Sequence, residues 1–287
     1  MSPADRGSRR FAGRRALVTG ASRGIGVGIA ERLAAEGAHV AISARTVDHH
    51  DRLPGSLNET LARLRGYGTT VAAIAADLAD AEARAAIVPA AAKALGGPID
   101  ILVNNAAAAV YAPLREYPLK RRRMMFEINV NAPVDLAQAV IPAMVAAGEG
   151  WIINVSSGSA RQPGGPPFKT DGVALVFGVY GASKAALNRI TGAMAAELYG
   201  TGIRVNTIEP RAAVLSEGAD AVMGTMLTAE QIEPLEAMVE ATIALCCCPV
   251  EHTGRIEVSL DLLEREGIPV RTLDATGIYA DSGYSSG

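Results

Sequence analysis

The chain has 287 residues, 49% of them hydrophobic and 20% charged, with 30 glycines; that is enough apolar material for one large α/β core and excludes an intrinsically disordered chain. A formal net charge of −3 removes any electrostatic case for nucleic acid or an acidic membrane surface as a partner. The cysteines are the consecutive Cys246, Cys247 and Cys248, a spacing that suits neither an ordinary disulfide nor a metal site and reads as small apolar residues on a helical turn.

Residues 2–15 are polar and arginine-rich, with no apolar stretch behind them, and later apolar runs are broken by Gly, Asn or charge before they reach the length of a bilayer span. A cytoplasmic protein is expected, with no membrane partner and a solvated tail at 1–10. Strand-like runs then follow at 15–19, 39–44, 70–75, 99–104, 151–155 and 203–208, with a seventh at 255–259. Between them, Ala-rich segments of helical period occupy 24–36, 57–65, 81–95, 117–147 and 180–199. Gly37, Gly66, Gly96, Gly148 and Gly200 stand where left-handed helix stops are expected. Alternation with strands buried on both faces predicts a doubly wound α/β fold, a seven-stranded parallel sheet with helices on both faces. It is read as one domain over 11–260, followed by a C-terminal extension at 261–287. Two stretches break the alternation, a Pro/Gly-rich loop at 161–178 and a helical excursion at 212–244. Long loops at strand carboxyl ends commonly serve ligands, and Val214, Leu215, Met223, Met226 and Leu227 would give that pocket an apolar wall.

The first strand runs into Thr19-Gly20-Ala21-Ser22-Arg23-Gly24-Ile25-Gly26 and then straight into a helix. Glycine allows the sharp turn and lets backbone N–H groups approach a pyrophosphate at the helix N-terminus. Glycine clusters also mark ordinary turns; the strand before and the helix after favour the phosphate. Further on, Tyr180 and Lys184 are four residues apart and share a helix face. A phenol of pKa ~10 is a poor base at neutral pH, and a nearby ammonium favours its phenolate. Tyr180 can then exchange a proton with a substrate oxygen, which Ser157 can hold by a hydrogen bond.

With their neighbours, these segments resemble the short-chain dehydrogenase/reductase family in its compact single-domain branch, over roughly residues 11–254. The resemblance implies a Rossmann-type fold binding a nicotinamide dinucleotide through Gly20, Ser22, Arg23, Gly24, Ile25 and Gly26. Asp77, followed by Leu78, matches the acid beside the adenine. Asn104-Asn105-Ala106-Ala107 is similar to the family's N-N-A-G, so Asn104 and Ala106 are implied cofactor contacts, with Ala107 replacing the last glycine. Asn129 matches a helix Asn that anchors a relay water, Ser157 the catalytic serine, and Tyr180 and Lys184 the Y-x-x-x-K pair, whose lysine also reaches the ribose. The segment 204–210 matches the one leading to the nicotinamide, giving Pro210 and Val214 as contacts. An NAD enzyme of this kind would place a carboxylate at the end of the second strand. Ala44 stands there, followed by Arg45; with Arg23, these residues point to NADP(H).

The implied activity is hydride transfer between the nicotinamide and a carbonyl or secondary alcohol of a small, apolar substrate. An NAD-preferring relative, and a non-catalytic nucleotide-binding regulator on the same fold, are the alternatives. A homodimer or homotetramer through 117–147 and 180–199 is implied as well.

Other features receive plainer readings. His49-His50 between Asp48 and Asp51 reads as a solvated loop rather than a metal site, Lys120–Arg123 as an exposed basic turn, and Trp151 as a core or rim residue. The chain departs from the family in three places. Ser157 and Tyr180 are 23 residues apart, Arg211 replaces a glycine, and Ser259-Leu260-Asp261 replaces the usual D-G-G. Arg211 is expected to pair with Glu209 or Glu217.

Overall fold

A computed structural model describes residues 9–49, 53–168, 176–214 and 232–280. Its strands are β1 (Arg15–Thr19), β2 (His39–Ala44), β3 (Val71–Ala75), β4 (Ile101–Asn104), β5 (Gly150–Val155), β6 (Ile203–Glu209) and β7 (Ile256–Val258). They form one parallel sheet in the order β3-β2-β1-β4-β5-β6-β7, as the alternation predicts. Alternate residues of each strand feed two separate cores. Ala16, Val18, Ile101, Val103, Ile153 and Val155 face α1 (Gly24–Ala35), α7 (Leu235–Leu245) and α8 (Ser259–Glu266). Leu17, Leu102, Ile152 and Val205 face α3 (Ala81–Leu95), α5 (Ala132–Ala147) and α6 (Gly178–Glu197). A strand buried on both faces needs apolar side chains in succession, which is why these runs do not alternate with polar residues. The order reverses between β1 and β4, so their carboxyl ends open a crevice outside Thr19 and Asn104.

Several boundaries differ from expectation. α2 (Leu57–Arg65) ends on Gly66 in right-handed conformation, and Gly68, at φ +71, takes the left-handed position instead. Gly96 and Gly148 are left-handed caps as expected. The single helix expected at 117–147 is broken into α4 (Leu119–Phe126), a π-helical turn at Glu127–Asn131, and α5. Pro133 has no N–H to give the Asn129 carbonyl four residues back, so the ladder slips, and the Ala132 N–H bonds the Glu127 carbonyl. Leu119–Ala147 is long and apolar enough to cross a membrane by length and composition, yet Leu136, Ala137, Val140 and Met144 of α5 form part of the sheet's core.

The seventh strand shortens to Ile256–Val258, because Ser259 opens α8. Leu262, Leu263 and Val270 belong to the same core as β1, and Leu273 and Tyr279 pack against it, so residues 261–279 continue the body. Of the excursion at 212–244, α7 is seen from Leu235; Leu215, Met223, Met226 and Leu227 lie outside the described residues.

Candidate active site

The glycine segment and the turn after β4 are built as one unit. Gly20 (φ +68) and Gly24 (φ +57) hold left-handed backbone conformations. A Cβ on Gly20 would lie 2.7 Å from the Ala106 Cα, and one on Gly26 would lie 2.4 Å from the Gly20 carbonyl oxygen. Thr19 Oγ1 accepts from the backbone N–H groups of Asn105 (3.2 Å) and Ala106 (3.1 Å). Asn105 Nδ2 donates back to the Thr19 and Gly20 carbonyls at 3.0 and 3.2 Å. Beside this seam runs a cleft of about 460 Å³ whose walls include Gly20, Ser22, Arg23, Ala44, Arg45, Asp77, Leu78 and Ala106.

The cleft presents hydrogen-bond donors suited to an anion. α1 starts at its edge with no side-chain cap from Arg23, so the first-turn N–H groups are left for an anion. Arg23 donates to the Gly55 carbonyl at 3.0 Å, while its Nε is buried with no hydrogen-bond partner among the described residues. Asp77 accepts from the Ala79 N–H at 3.0 Å, and its second oxygen lies 3.9 Å from Arg45. Arg121, placed in an exposed basic turn by sequence, and Asn105 also line the cleft.

Other expected contacts sit elsewhere. Asn104 turns into the sheet, donating to Asn154 Oδ1 at 2.9 Å and to the Pro133 carbonyl at 3.4 Å. Ile25 packs against the core on the α1 side, where Val214 is itself buried, and Pro210 is not among the residues lining the cleft.

Past the cleft's end, α6 presents Tyr180 and Lys184 to the end of β5. Gly181 makes this possible: a Cβ there would lie 2.3 Å from the Ser159 carbonyl oxygen, so only glycine lets the short 3-10 turn Gly158–Ala160 close on the helix. That turn is capped by Ser157, whose Oγ accepts from Ser159 N (3.3 Å) and Ser159 Oγ (3.0 Å) and stands near enough to the Tyr180 phenol to act on its pKa. Lys184 is buried, with Nζ 2.7 Å from the Val155 carbonyl and 5.9 Å from the Tyr180 ring centroid.

Burial raises the Tyr180 pKa, Tyr111 adds to the rise, and only the nearby Ser157 hydroxyl opposes it. Burial lowers Lys184 to about 8. The expected lowering of the phenol by the ammonium is therefore not what these protein groups produce. They hold Tyr180 as a neutral phenol, a proton donor rather than a base.

Asn129 sits within the π-helical turn, fully buried. Its Oδ1 accepts from the Ala108 N–H (2.8 Å); its Nδ2 donates to the Ala108 carbonyl (2.9 Å) and to Ser183 Oγ (3.0 Å). The side chain is fully engaged in tying the turn after β4 to α6, and the backbone carbonyl is what lacks an α-helical donor.

One residue the sequence did not single out is Tyr111. Its ring meets Tyr180 edge-on at 5.8 Å and Phe177 at 5.0 Å, and burial raises its pKa. An aromatic residue in a loop carries no periodic signal, so only the fold could bring it here. Arg211 does pair with acids, but they are Asp261 and Glu264 of α8 (2.6 and 2.7 Å). Glu209 is taken by Arg161 at the start of the Pro/Gly loop, and Glu217 lies outside the described residues. Asp48 bonds Asn58, while His50 and Asp51 also lie outside the described residues.

The fold and this site define a dinucleotide-dependent oxidoreductase framework, and comparison with known proteins agrees. The short chain dehydrogenase family model matches residues 14–222. Bovine L-xylulose reductase (Bos taurus) is 38% identical over 204 residues, 70% of this chain and 72% of that protein. Hydroxysteroid dehydrogenase-like protein 2 of Danio rerio is 31% identical over 265 residues, 90% of this chain; the chain spans 60% of that relative's length. A crystal structure of the 3-oxoacyl-(acyl-carrier-protein) reductase of Agrobacterium tumefaciens with NADP bound superposes with a TM-score of 0.74 at 29% identity, covering 90% of this chain and 96% of that one. The chain belongs to the short-chain dehydrogenase/reductase family.

Proposed function

We propose that the protein is an NADP(H)-dependent oxidoreductase that reduces a carbonyl, or oxidises the corresponding alcohol, on a small apolar molecule. The observation that carries this reading is the convergence of Ser157, Tyr180 and Lys184 beyond the end of the glycine-lined cleft. The bound nicotinamide would supply or take the hydride. The residues of the chain do the rest. Ser157 holds the substrate oxygen, and Tyr180, kept neutral by burial, gives it a proton during reduction. Lys184 holds the cofactor ribose. Asn129 fixes the backbone around the site, and its carbonyl, lacking an i+4 donor, is the group suited to hold a relay water. By the family pattern, the turn from Pro210 to Val214 would hold the nicotinamide end of the cofactor.

NADP(H) is favoured over NAD(H) by the walls of the cleft. Ala44 offers no carboxylate, and Arg23 and Arg45 stand beside it. Arg121, on the same cleft, adds a third guanidinium. The substrate wall next to Tyr180 is aromatic, made by Tyr111 and Phe177, which supports an apolar substrate.

The test is NADPH and NADH oxidation against a panel of steroid, acyl, terpenoid and sugar-derived ketones. NADPH should have the higher kcat/KM, and Ala44→Asp with Arg45→Ala should move the preference towards NADH. A wild-type preference for NADH defeats the cofactor assignment. Binding of NADPH with no turnover on any carbonyl would favour the regulatory alternative.

A further inference from the structure

The turn that follows β6 holds an arginine where the family has a glycine, and the structure shows what supports it instead. Arg211 does not take a left-handed conformation; Ala275 is the one described non-glycine residue with positive φ. The turn is held from outside by the carboxylate of Glu233, which is buried. Glu233 Oε2 accepts from the backbone N–H groups of Arg211 (2.8 Å) and Ala212 (3.1 Å). Ser259 Oγ donates to the same carboxylate, 2.7 Å from Oε1 and 2.9 Å from Oε2, and itself accepts from the Arg211 N–H at 3.1 Å. The backbone of Glu233 closes the other side, its N–H bonding the Ala213 carbonyl at 2.9 Å next to a parallel bridge between Ala213 and Ile232. The Arg211 side chain then reaches outward to Asp261 and Glu264, away from the carboxylate that holds its backbone.

A buried carboxylate is costly unless hydrogen bonds satisfy it, and charge-assisted bonds of this kind are the strong ones. Here the carboxylate takes the N–H groups of Arg211 and Ala212 as well as the Ser259 hydroxyl, and the Glu233 backbone takes the Ala213 carbonyl, so one residue holds the three successive residues between Pro210 and Val214. Ser259 occupies the place where the family's D-G-G close would begin, and it joins the same cluster. Two of the departures from the family pattern, at Arg211 and Ser259, therefore meet at one acid.

We propose that Glu233 is a positioning residue for the nicotinamide end of the cofactor, fixing the backbone at 211–213, which follows directly on the segment that in the family pattern leads to the nicotinamide. The inference rests on the reading of the cleft as a nicotinamide dinucleotide site. Glu233 touches no reacting atom. It acts through the turn, and so affects one end of the dinucleotide and not the other.

That asymmetry supplies the test. Dissociation constants are measured for NADP⁺ and for 2′,5′-ADP, which lacks the nicotinamide half, with wild type, Glu233→Ala, Glu233→Gln and Ser259→Ala. Glu233→Ala should weaken NADP⁺ about tenfold, which is ~1.4 kcal/mol, while 2′,5′-ADP stays within about twofold. Glu233→Gln keeps an acceptor for the two N–H groups and should fall between, and Ser259→Ala should weaken NADP⁺ by a smaller factor. If Glu233→Ala does not fold, the other two variants carry the comparison. Variants that shift both ligands together, or neither, overturn the proposal. A wild type that takes NAD⁺ is tested in the same way with NAD⁺ against AMP. A wild type that binds no nicotinamide dinucleotide overturns this proposal together with the reading beneath it, whereas loss of the asymmetry alone overturns only the role of Glu233.

Discussion

At the residue scale the proposed chemistry rests on one phenol and one amine with opposite displacements. Tyr180 is raised by burial and Lys184 is lowered to about 8 by the same cause, so near neutral pH both carry their protons. Tyr180→Phe keeps the ring and removes the hydroxyl. Turnover should fall by ~10²–10⁴-fold, with the dinucleotide dissociation constant nearly unchanged. The measurement is kcat beside a binding titration, and a variant with near wild-type kcat would remove Tyr180 from the mechanism. Lys184 gives a pH signature. Its folded pKa lies below the usual 10.5, so the cation is present below about 8 and is lost as pH rises through that value. Because kcat/KM for the dinucleotide reports the free enzyme, it should decline above about pH 8, and Lys184→Met should abolish that limb. Stability should move the other way between about 8 and 10.5, since the unfolded chain binds the proton that the folded chain has released.

At the scale of elements, the site depends on two places where regular structure is interrupted. The π-helical turn exists because Pro133 denies Asn129 its helical donor, and the slipped ladder is where the Asn129 amide reaches both Ala108 and Ser183. The second is the contact of the Gly158–Ala160 turn with α6 over Gly181. Gly181→Ala would put a methyl 2.3 Å from a backbone oxygen, so turn and helix must separate. Overpacking of this kind costs ~1–3 kcal/mol, and a misplacement of about 1 Å at a reacting group lowers rate by ~10²-fold. The expected outcome is a large loss in kcat and a modest fall in Tm, with a smaller loss of dinucleotide affinity, since the glycine loop is untouched while Lys184 moves with the helix. A variant with full kcat would show that Ser157 and Tyr180 tolerate separation.

For the whole molecule, the helices on the α5 side leave apolar residues outward. Leu119, Phe126 and Val145 are exposed, while the opposite face of α5 lies on the sheet. Apolar residues outside the packed face favour a second subunit, and we expect a dimer or tetramer. Light scattering at micromolar concentration is the check, and a monomer would discard that interface. On the opposite side, Arg10, Arg32, Glu36 and Glu240 form a largely buried ion network joining the N-terminal segment, α1 and α7, and Arg32 also bonds the Thr272 carbonyl at 2.9 Å. Those partners are up to 240 residues apart, and no local pattern announces them.

The sequence by itself determined the seven strands, their parallel order of burial and the family, because period, glycine spacing and the Y-x-x-x-K pair are local features that a linear reading captures. It also placed Tyr180 and Lys184 on one helix, while Ser157, expected to end the fifth strand, stands two residues past it as the cap of a 3-10 turn. What only the tertiary structure decided were the partners. Arg211 went to Asp261 and Glu264 rather than Glu209, Asn104 turned into the sheet while Asn105 took the cleft, and Tyr111 came to rest on Tyr180. A side chain's partner is chosen by which segments the sheet brings together, and that distance is absent from any one segment.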